Sequence, residues 1–438
     1  DHEFIEKYTR GFEEFKAYLD TQTMEQLSKW CGISVTDIEK LTDIFCSTAK
    51  IPLVAYTGLE YQLSAIQNNR AIFVLWAITG KLDAPGAIYL NAKGLETPKL
   101  FEIPEDDKPI GVDEFPLFYK FSGLGQFSRF PKAVLEDEPY PVRGLMILGG
   151  SPVLSFPDSK SWREAYKKLD CLIVLDRYFT EDARYADVVF PACSLFEVPK
   201  AVPGPEGPHI VEPLIEPVGE SKNDVLIMGA IAKKLGFGDK LPQTEEELRS
   251  WLLSGTAPYA GDFGTSADQK KEKHYKKYET GELRADGKPG FPTPSGKLEI
   301  CSTILEENGF VPYPEYKDVR SIPELAGKEY PFTMTSGARS NNRMGVFGAN
   351  LDKIAEIEPY PFVDINAEDA KEIGIEDGDM VKVITPFADG TFKAKIRGIA
   401  RHAIHIPHGG GSAYMAEPWK NGNVNDLCSL DYADPMTG

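Results

Sequence analysis

Two short apolar runs, residues 145–148 and 171–175, have the length of buried strands and are too short for helices. The first ends in Gly149-Gly150-Ser151-Pro152, which continues neither a helix nor a central strand. The second ends in Asp176-Arg177. Between them, residues 161–169 repeat apolar side chains at helical spacing, with Trp162, Ala165, Tyr166 and Leu169 on one face. This succession predicts a βαβ unit of a parallel sheet. Residues 187–190, closed by Pro191, predict a third strand. Ligands of open parallel sheets sit beyond the carboxyl ends of the strands, so the pattern aims 149–152 and 176–180 at one crevice.

The rest of the chain is patterned less evenly. Phe4, Tyr8, Phe12, Phe15 and Leu19 give a helix over 3–19 one apolar face. Thr23 caps a short helix over 24–31, and Ser34 begins a cap for a helix over 37–48. Residues 51–56 are β-rich and end at Thr57-Gly58. A helix over 64–79 follows, with Ile66, Ala71, Leu75 and Ile78 on its apolar face. Gly58 lets a ligand approach the backbone, and the helix N-terminus favours an anion; a plain strand-to-helix turn is the competing reading. Residues 84–142, rich in Pro, Gly and acid, predict a long excursion over the ligand edge. A proline-rich loop, 198–208, leads to His209, to residues 210–218, and to a helix over 223–235. Residues 239–330 are heterogeneous. Their basic cluster, 269–277, reads as a solvated helix face, 291–302 as a turn into a short strand, and 311–316 as a linker. Beyond about residue 330, short strands over 330–336, 362–366, 380–385, 391–398 and 403–407, with one helix at 367–373, predict a small β-barrel. The fold class is α/β: a parallel-sheet domain followed by a barrel.

Composition changes this picture only by exclusion. The chain has 438 residues, enough for two to four domains, and 42% hydrophobic and 26% charged residues are ordinary for a globular protein. A net charge of −19 argues against nucleic acid or an anionic membrane as the main partner. No apolar run has the length of a membrane span. Six cysteines are scattered without a CxxC pair, which is neither a zinc or iron–sulfur pattern nor a disulfide framework. Most are expected to be buried thiols in a reducing, cytoplasmic compartment. His402, His405 and His408 recur every three residues, so on a strand His405 faces away from the other two and the three cannot share a metal. His408-Gly409-Gly410-Gly411 imitates an esterase oxyanion loop, but the chain has no GxSxG nucleophile elbow. His209 reads as a structural histidine on its own residues.

Six stretches carry a further reading: FIEKYTRGFEEF (4–15), YTGLEYQLSAIQNNRAIFVLWAITGKLDAPG (56–86), residues 144–197, FPTPSGKLEI (291–300), TSGAR (335–339) and FVDINAEDAKEIGIEDGDMVKV (362–383). In these the chain resembles the C-terminal two-thirds of the molybdopterin oxidoreductases of the dimethyl sulfoxide reductase superfamily. The resemblance implies a helical tail of a preceding α/β domain (1–49), a Rossmann-like domain for molybdopterin guanine dinucleotide (50–240), a connecting region (241–327) and a double-psi-type β-barrel that also binds the dinucleotide (328–438). By position it implies that Gly149, Gly150, Ser151 and Pro152 approach the dinucleotide. Asp176 and Thr180 would read guanine, with His209 and Asp224 as further polar contacts. Thr57, Gly58 and Glu60 match a cofactor-lining turn, Ser336, Gly337 and Arg339 a loop near the pterins, and Asn423 and Asn425 a late asparagine motif near the cofactor. The chemistry agrees at Asp176, since one carboxylate accepts both the N1–H and N2–H donors of guanine.

The resemblance also implies what lies elsewhere. The complete enzymes hold molybdenum or tungsten between two such dinucleotides, and their N-terminal part carries a 4Fe-4S cluster and the residue that ligates the metal. No cysteine here has that context. The chain is therefore expected to be a fragment, or one piece of a larger protein, partnered by that N-terminal part or a complementary chain and by an electron-transfer iron–sulfur subunit. The competing expectation is a dinucleotide-binding or assembly module without catalysis of its own. The stretches LEYQ, TGKLDAPG and HIPHGGG are similar to polysulfide or thiosulfate reductases and to the non-redox acetylene hydratase.

Overall fold

The computed structural model describes residues 1–90, 108–202, 208–254, 273–325, 327, 329–337, 351–415 and 417–438. Its centre is a parallel three-stranded sheet, Gly144–Leu148, Cys171–Asp176 and Val188–Pro191, with the middle strand in register against both others. The helix Ser159–Lys168 crosses between the first two strands and buries Trp162, Ala165 and Tyr166. Asp158 caps that helix, its side chain accepting from the Ser161 N–H. This is the βαβ unit that the hydrophobic period predicts.

Residues 108–142 are more ordered than their composition suggests. Pro116–Ser122 and Phe130–Glu136 are helices, each opened by a proline in its first turn. Phe130 and Val134 of the second pack into the same core as Trp162, Leu172 and Val174. The acidic tract 104–107 lies outside the described residues.

The N-terminal half corrects several expectations. The helix foreseen over 3–19 is two helices, His2–Tyr8 and Phe12–Leu19, because Thr9–Arg10 pairs in parallel with Leu298–Glu299. Gly11 makes the break, with φ of 83° and an ideal Cβ only 2.3 Å from the Cys301 Cβ. Residues 51–56 form no strand: Val54 is 96% exposed, with no neighbouring strand to pair with. The helix Ala65–Ile78 exists, but it buries Ala65, Gln67, Val74 and Ala77, while Ala71 and Leu75 face outward. Its inner face is chosen by polar contacts as well: Arg70 reaches the carbonyls of Ile300 and Pro312, each at 2.8 Å. Lys277 is no solvated residue. It is buried against Asp83 at 2.5 Å, with its ammonium over the Tyr89 ring. Of the cysteines only Cys301 is buried; Cys31, Cys46 and Cys171 are exposed, the first two on helices with no buried face.

The C-terminal part is a five-stranded curled, half-barrel sheet. Its order is Met380–Ile384, Asp389–Arg397, Phe362–Asn366, Ala403–Ile406, Thr333–Ser336, mixing parallel and antiparallel pairs. Phe392 and Ala394 alternate inward at the strand period and meet Val363, Ile365, Ile404 and Ile406. The helix Ala367–Ile373 ends at Gly374 as the sequence indicates. The two parts are not separately packed. Met415 and Trp419, from the chain beyond the last strand, are buried in the core built on Trp162. The Trp419 indole N–H donates to the Glu358 carbonyl at 2.7 Å.

Trp162 is therefore the expected weak point of the whole chain. Trp162→Ala should lower unfolding free energy by about 3–5 kcal/mol in a denaturant titration. It should also loosen the segment carrying Met415 and Trp419, seen as faster amide exchange there.

Candidate functional site

The carboxyl edge of the parallel sheet gathers the site. Gly149, with φ of 59°, turns the chain off the first strand, and its N–H donates to the Leu175 carbonyl of the neighbouring strand at 2.9 Å. Ser151 then precedes the one-turn helix Pro152–Ser155. One strand over, Asp176 ends its strand and accepts from the Tyr178 N–H at 3.0 Å. Thr180 Oγ1 accepts from the Ala183 N–H at 3.3 Å. Asp224 opens the helix Asp224–Lys234, which Asn223 caps. That helix start is fixed against the same edge by the Lys222 N–H to the Pro191 carbonyl at 3.1 Å, and by the Cys193 N–H to the Lys222 carbonyl at 3.2 Å.

Asp224 is the electrostatic key. Its Oδ1 is buried and has no hydrogen-bond partner among the described residues. Burial first, and the Asp176 carboxylate second, push its carboxyl above the ordinary value of 3.8. Two acidic acceptors thus share one edge, one of them unsatisfied. The arrangement calls for a ligand that presents hydrogen-bond donors. The unpaired Oδ1 beside Asp176 suits the donor edge of guanine, so the residues present fit a guanine dinucleotide. Gly149 and Gly150 add no side chain that reaches across the turn: a Cβ at Gly149 would meet nothing within 4 Å, and one at Gly150 nothing nearer than 3.9 Å.

The asparagines bond across to the βαβ unit. Asn423 Nδ2 donates to the buried Ser159 Oγ at 2.9 Å. Asn425 Nδ2 donates to the Leu154 carbonyl at 2.6 Å. Both staple the C-terminal part to the βαβ unit, directly behind the Gly149-to-Pro152 turn. Ser336 and Gly337 end an edge strand of the curled sheet, Gly337 in the left-handed region at φ of 109°. Arg339 lies outside the described residues. Thr57, Gly58 and Glu60 form the one-turn helix Thr57–Glu60 ahead of the long helix Ala65–Ile78, on a different element from the carboxyl edge. His209 is exposed on the two-stranded ribbon of Lys200–Val202 and His209–Val211. In the histidine series, His405 sits on its strand between Thr335 and Asp364, while the His402 N–H donates to Asp369 at 2.7 Å. Among the described residues no group of three His, Cys, Asp or Glu side chains could hold a metal ion.

Sequence reasoning passed over the residues that brace the edge. Asp182, fully buried, accepts from Ser151 Oγ, from the Val153 N–H at 3.2 Å and from the Tyr166 hydroxyl at 2.7 Å. Burial pushes its carboxyl upward, against the pull of those hydrogen bonds. Glu181, 2% exposed, accepts from the Ala413 N–H at 3.0 Å and pairs with Arg184 at 2.7 Å. Glu197 accepts from the N–H groups of Ser194 and Val218 and from Ser221 Oγ. Those hydrogen bonds lower its carboxyl to about 2. The available signal was an acidic doublet, Glu181-Asp182, directly after Thr180, in a stretch that also carries Asp176, Arg177, Arg184 and Asp187.

The comparisons with known proteins agree on one group. The family description "Molybdopterin oxidoreductase" matches residues 60–234, and "Molydopterin dinucleotide binding domain" matches 333–438. The chain is 28% identical to the probable oxidoreductase YoaE of Bacillus subtilis over 401 residues, covering 87% of this chain and 54% of that protein. It is 27% identical to the F420-dependent formate dehydrogenase subunit alpha of Methanocaldococcus jannaschii over 431 residues, covering 93% of this chain and 60% of the relative. It thus spans a little over half the length of these curated relatives. Its fold matches the solved acetylene hydratase from Pelobacter acetylenicus with a TM-score of 0.80 at 22% identity, over 100% of this chain and 66% of that one.

A pH test follows from Asp224. Because its folded-state affinity for a proton exceeds that of the unfolded chain, its contribution to stability is most favourable below the ordinary carboxyl value and declines as pH rises through the raised one. Asp224→Asn should therefore raise the melting temperature of the nucleotide-free chain at neutral pH and leave it nearly unchanged in acid. Equal shifts at both pH values would show that burial of the charge is not the cause.

Proposed function

The chain belongs to the molybdopterin oxidoreductases of the dimethyl sulfoxide reductase superfamily, and we propose that it is the guanine-dinucleotide-holding part of a molybdenum or tungsten enzyme. The observation that carries this is the unsatisfied, buried Oδ1 of Asp224 beside Asp176 at the carboxyl edge of a parallel sheet. In the proposed complex Asp176 accepts from the guanine N1–H and N2–H, Thr180 and Asp224 supply the neighbouring polar contacts, and the turn from Gly149 to Pro152 lies along the phosphates. When bound, the metal carried by the pterin supplies oxygen-atom, hydride or proton–electron transfer. The chain's own residues bind, orient and shield the nucleotide end.

The finer assignments belong to the same proposal. Residues 50–240 act as the Rossmann-like dinucleotide domain, 328–438 as a double-psi-type barrel with Ser336, Gly337 and Arg339 toward the pterins, 1–49 as the tail of a preceding domain, and 241–327 as a connection. Thr57, Gly58, Glu60 and His209 are proposed to line the cofactor in the assembled protein. The second dinucleotide, a 4Fe-4S cluster and the metal's protein ligand are assigned to sequence beyond this chain or to a complementary subunit, with an iron–sulfur electron partner. Relatives are named for substrates as unlike as formate and acetylene, so the proposal rests on the cofactor. No helix among the described residues is long and apolar enough to cross a membrane.

The test is calorimetric titration of the chain with GDP, with ADP as control. GDP should bind and ADP should not. Asp176→Ala should weaken GDP roughly 10- to 100-fold, the cost of leaving buried donors unpaired. Equal binding of GDP and ADP, or an unaffected Asp176→Ala variant, would defeat the guanine assignment. Stoichiometric pterin fluorescence with metal in purified material would favour the enzyme over a catalytically silent module.

A further inference from the structure

Two adjacent carboxylates follow Thr180, and they point in opposite directions. Asp182 turns inward to Ser151, Val153 and Tyr166, and so ties its own loop to the glycine turn of the first strand. Glu181 turns the other way, across to the C-terminal part, where it accepts from the Ala413 N–H. The contact is not isolated. The Phe179 ring meets the Tyr414 ring with centroids 5.6 Å apart. Residues 179–181 and 413–414 are thus joined twice, once by a buried carboxylate and once by aromatic rings.

The loop that Glu181 seizes is unusual in its backbone. Gly409, Gly410 and Gly411 all take positive φ, at 127°, 104° and 94°. Gly411 is wedged where an added Cβ would stand 2.6 Å from the Asn423 Cβ and 3.2 Å from Leu154 Cδ2. Three glycines in succession leave this loop little conformational preference of its own. Its position is set by what grips it: Gly411 against Leu154 behind, Met415 in the shared core below, and Glu181 on the side of the proposed nucleotide loop. Burying a carboxylate is costly unless it is well bonded. At Glu181 the half-exposed Arg184 is the charge partner, and a main-chain N–H from a distant part of the chain is the other bond.

We propose that Glu181 is a positioning residue: it latches the 409–414 glycine loop onto the loop bearing Asp176 and Thr180, so that filling the nucleotide site tightens the glycine loop and the latched loop in turn strengthens nucleotide binding. The inference rests on the guanine reading of Asp176 and Thr180. Glu181 itself touches no nucleotide; it acts through the register of the loop on either side of it. Coupling of this kind is reciprocal, so it is readable from either end.

The experiment uses the full 438-residue chain, GDP as probe, calorimetry for affinity and hydrogen exchange on the peptide spanning 409–415. In the wild type, GDP should slow exchange in that peptide. Glu181→Ala should weaken GDP roughly 3- to 10-fold, the worth of one or two lost hydrogen bonds, speed exchange at 409–415, and abolish its response to GDP. Glu181→Gln keeps an acceptor for the Ala413 N–H and should restore most of the affinity and the response, which a general loss of folding would not allow. A Glu181→Ala chain that binds GDP as the wild type does, with 409–415 still protected by GDP, overturns the latch and leaves the guanine site standing. A wild-type chain indifferent to GDP overturns the guanine reading and the coupling with it.

Discussion

The structure depends on one piece of apolar packing: Trp162, fully buried between the βαβ strands and the helix Phe130–Glu136, shares its core with Met415 and Trp419 from the far end of the chain. Side chains of this kind contribute roughly 1.5–3 kcal/mol each on burial. Packing is not directional, however, and would tolerate a slide of one part on the other. What it fixes is proximity. The C-terminal segment cannot leave the carboxyl edge of the parallel sheet without opening the core that the sheet itself needs.

Register is set by polar contacts laid over that core. Asn423 to Ser159, Asn425 to the Leu154 carbonyl and Glu181 to the Ala413 N–H all cross the same junction. Each is worth only about 0.5–1.5 kcal/mol net, yet each would leave a buried group unpaired if the parts shifted. That asymmetry converts a greasy contact into a defined one. Asp182 plays the same part within the βαβ unit, where a single carboxylate gathers a serine, a tyrosine and a backbone N–H from three successive elements.

What the sequence revealed and what it hid divide along the same line. The βαβ strands, the helix with Trp162, and the strands of the curled sheet were legible because each buries a face at its own period, 2 or 3.6, which is a local property. The failures were tertiary. Gly11 was the local mark of the break, but the partner that makes it, Leu298–Glu299 paired with Thr9–Arg10, lies almost 290 residues away. Lys277 sits in a run of basic residues and looks solvated, but Asp83 lies 194 residues earlier in the chain. The helix Ala65–Ile78 turns an unexpected face inward because Arg70 and Gln67 bond to carbonyls near residues 300 and 311. At the site, the glycine turn and Asp176 were readable from their place after strands. Asn423 and Asn425 were read for the cofactor, and their side-chain amides bond to Ser159 Oγ and the Leu154 carbonyl of the βαβ unit. Glu181 and Asp182 carried no signal that set them apart from the other charged residues of 176–187.

The carboxyl edge breaks this economy of satisfied groups, as Ser128 Oγ, Trp162 Nε1 and Asp364 Oδ1 also do among the described residues. Several buried acids are well bonded: Asp182 has three donors, Glu197 three, and Asp83 an ammonium and two backbone N–H groups. Asp224 has a bare oxygen and a like-charged neighbour. The unmet oxygen lowers stability and returns nothing while the site stands alone. The penalty is recovered only when a donor arrives from outside. Because the acceptors are already held in place, by Asn223 at one helix start and by the Tyr178 N–H at the other strand end, such a donor meets a site whose ordering cost has been met in advance. Preorganised acceptors facing one another also discriminate: they repel a base edge that presents acceptors as strongly as they welcome one that presents two adjacent N–H groups. On the proposed reading, selection for guanine would follow from the same unsatisfied acceptor that marks the site.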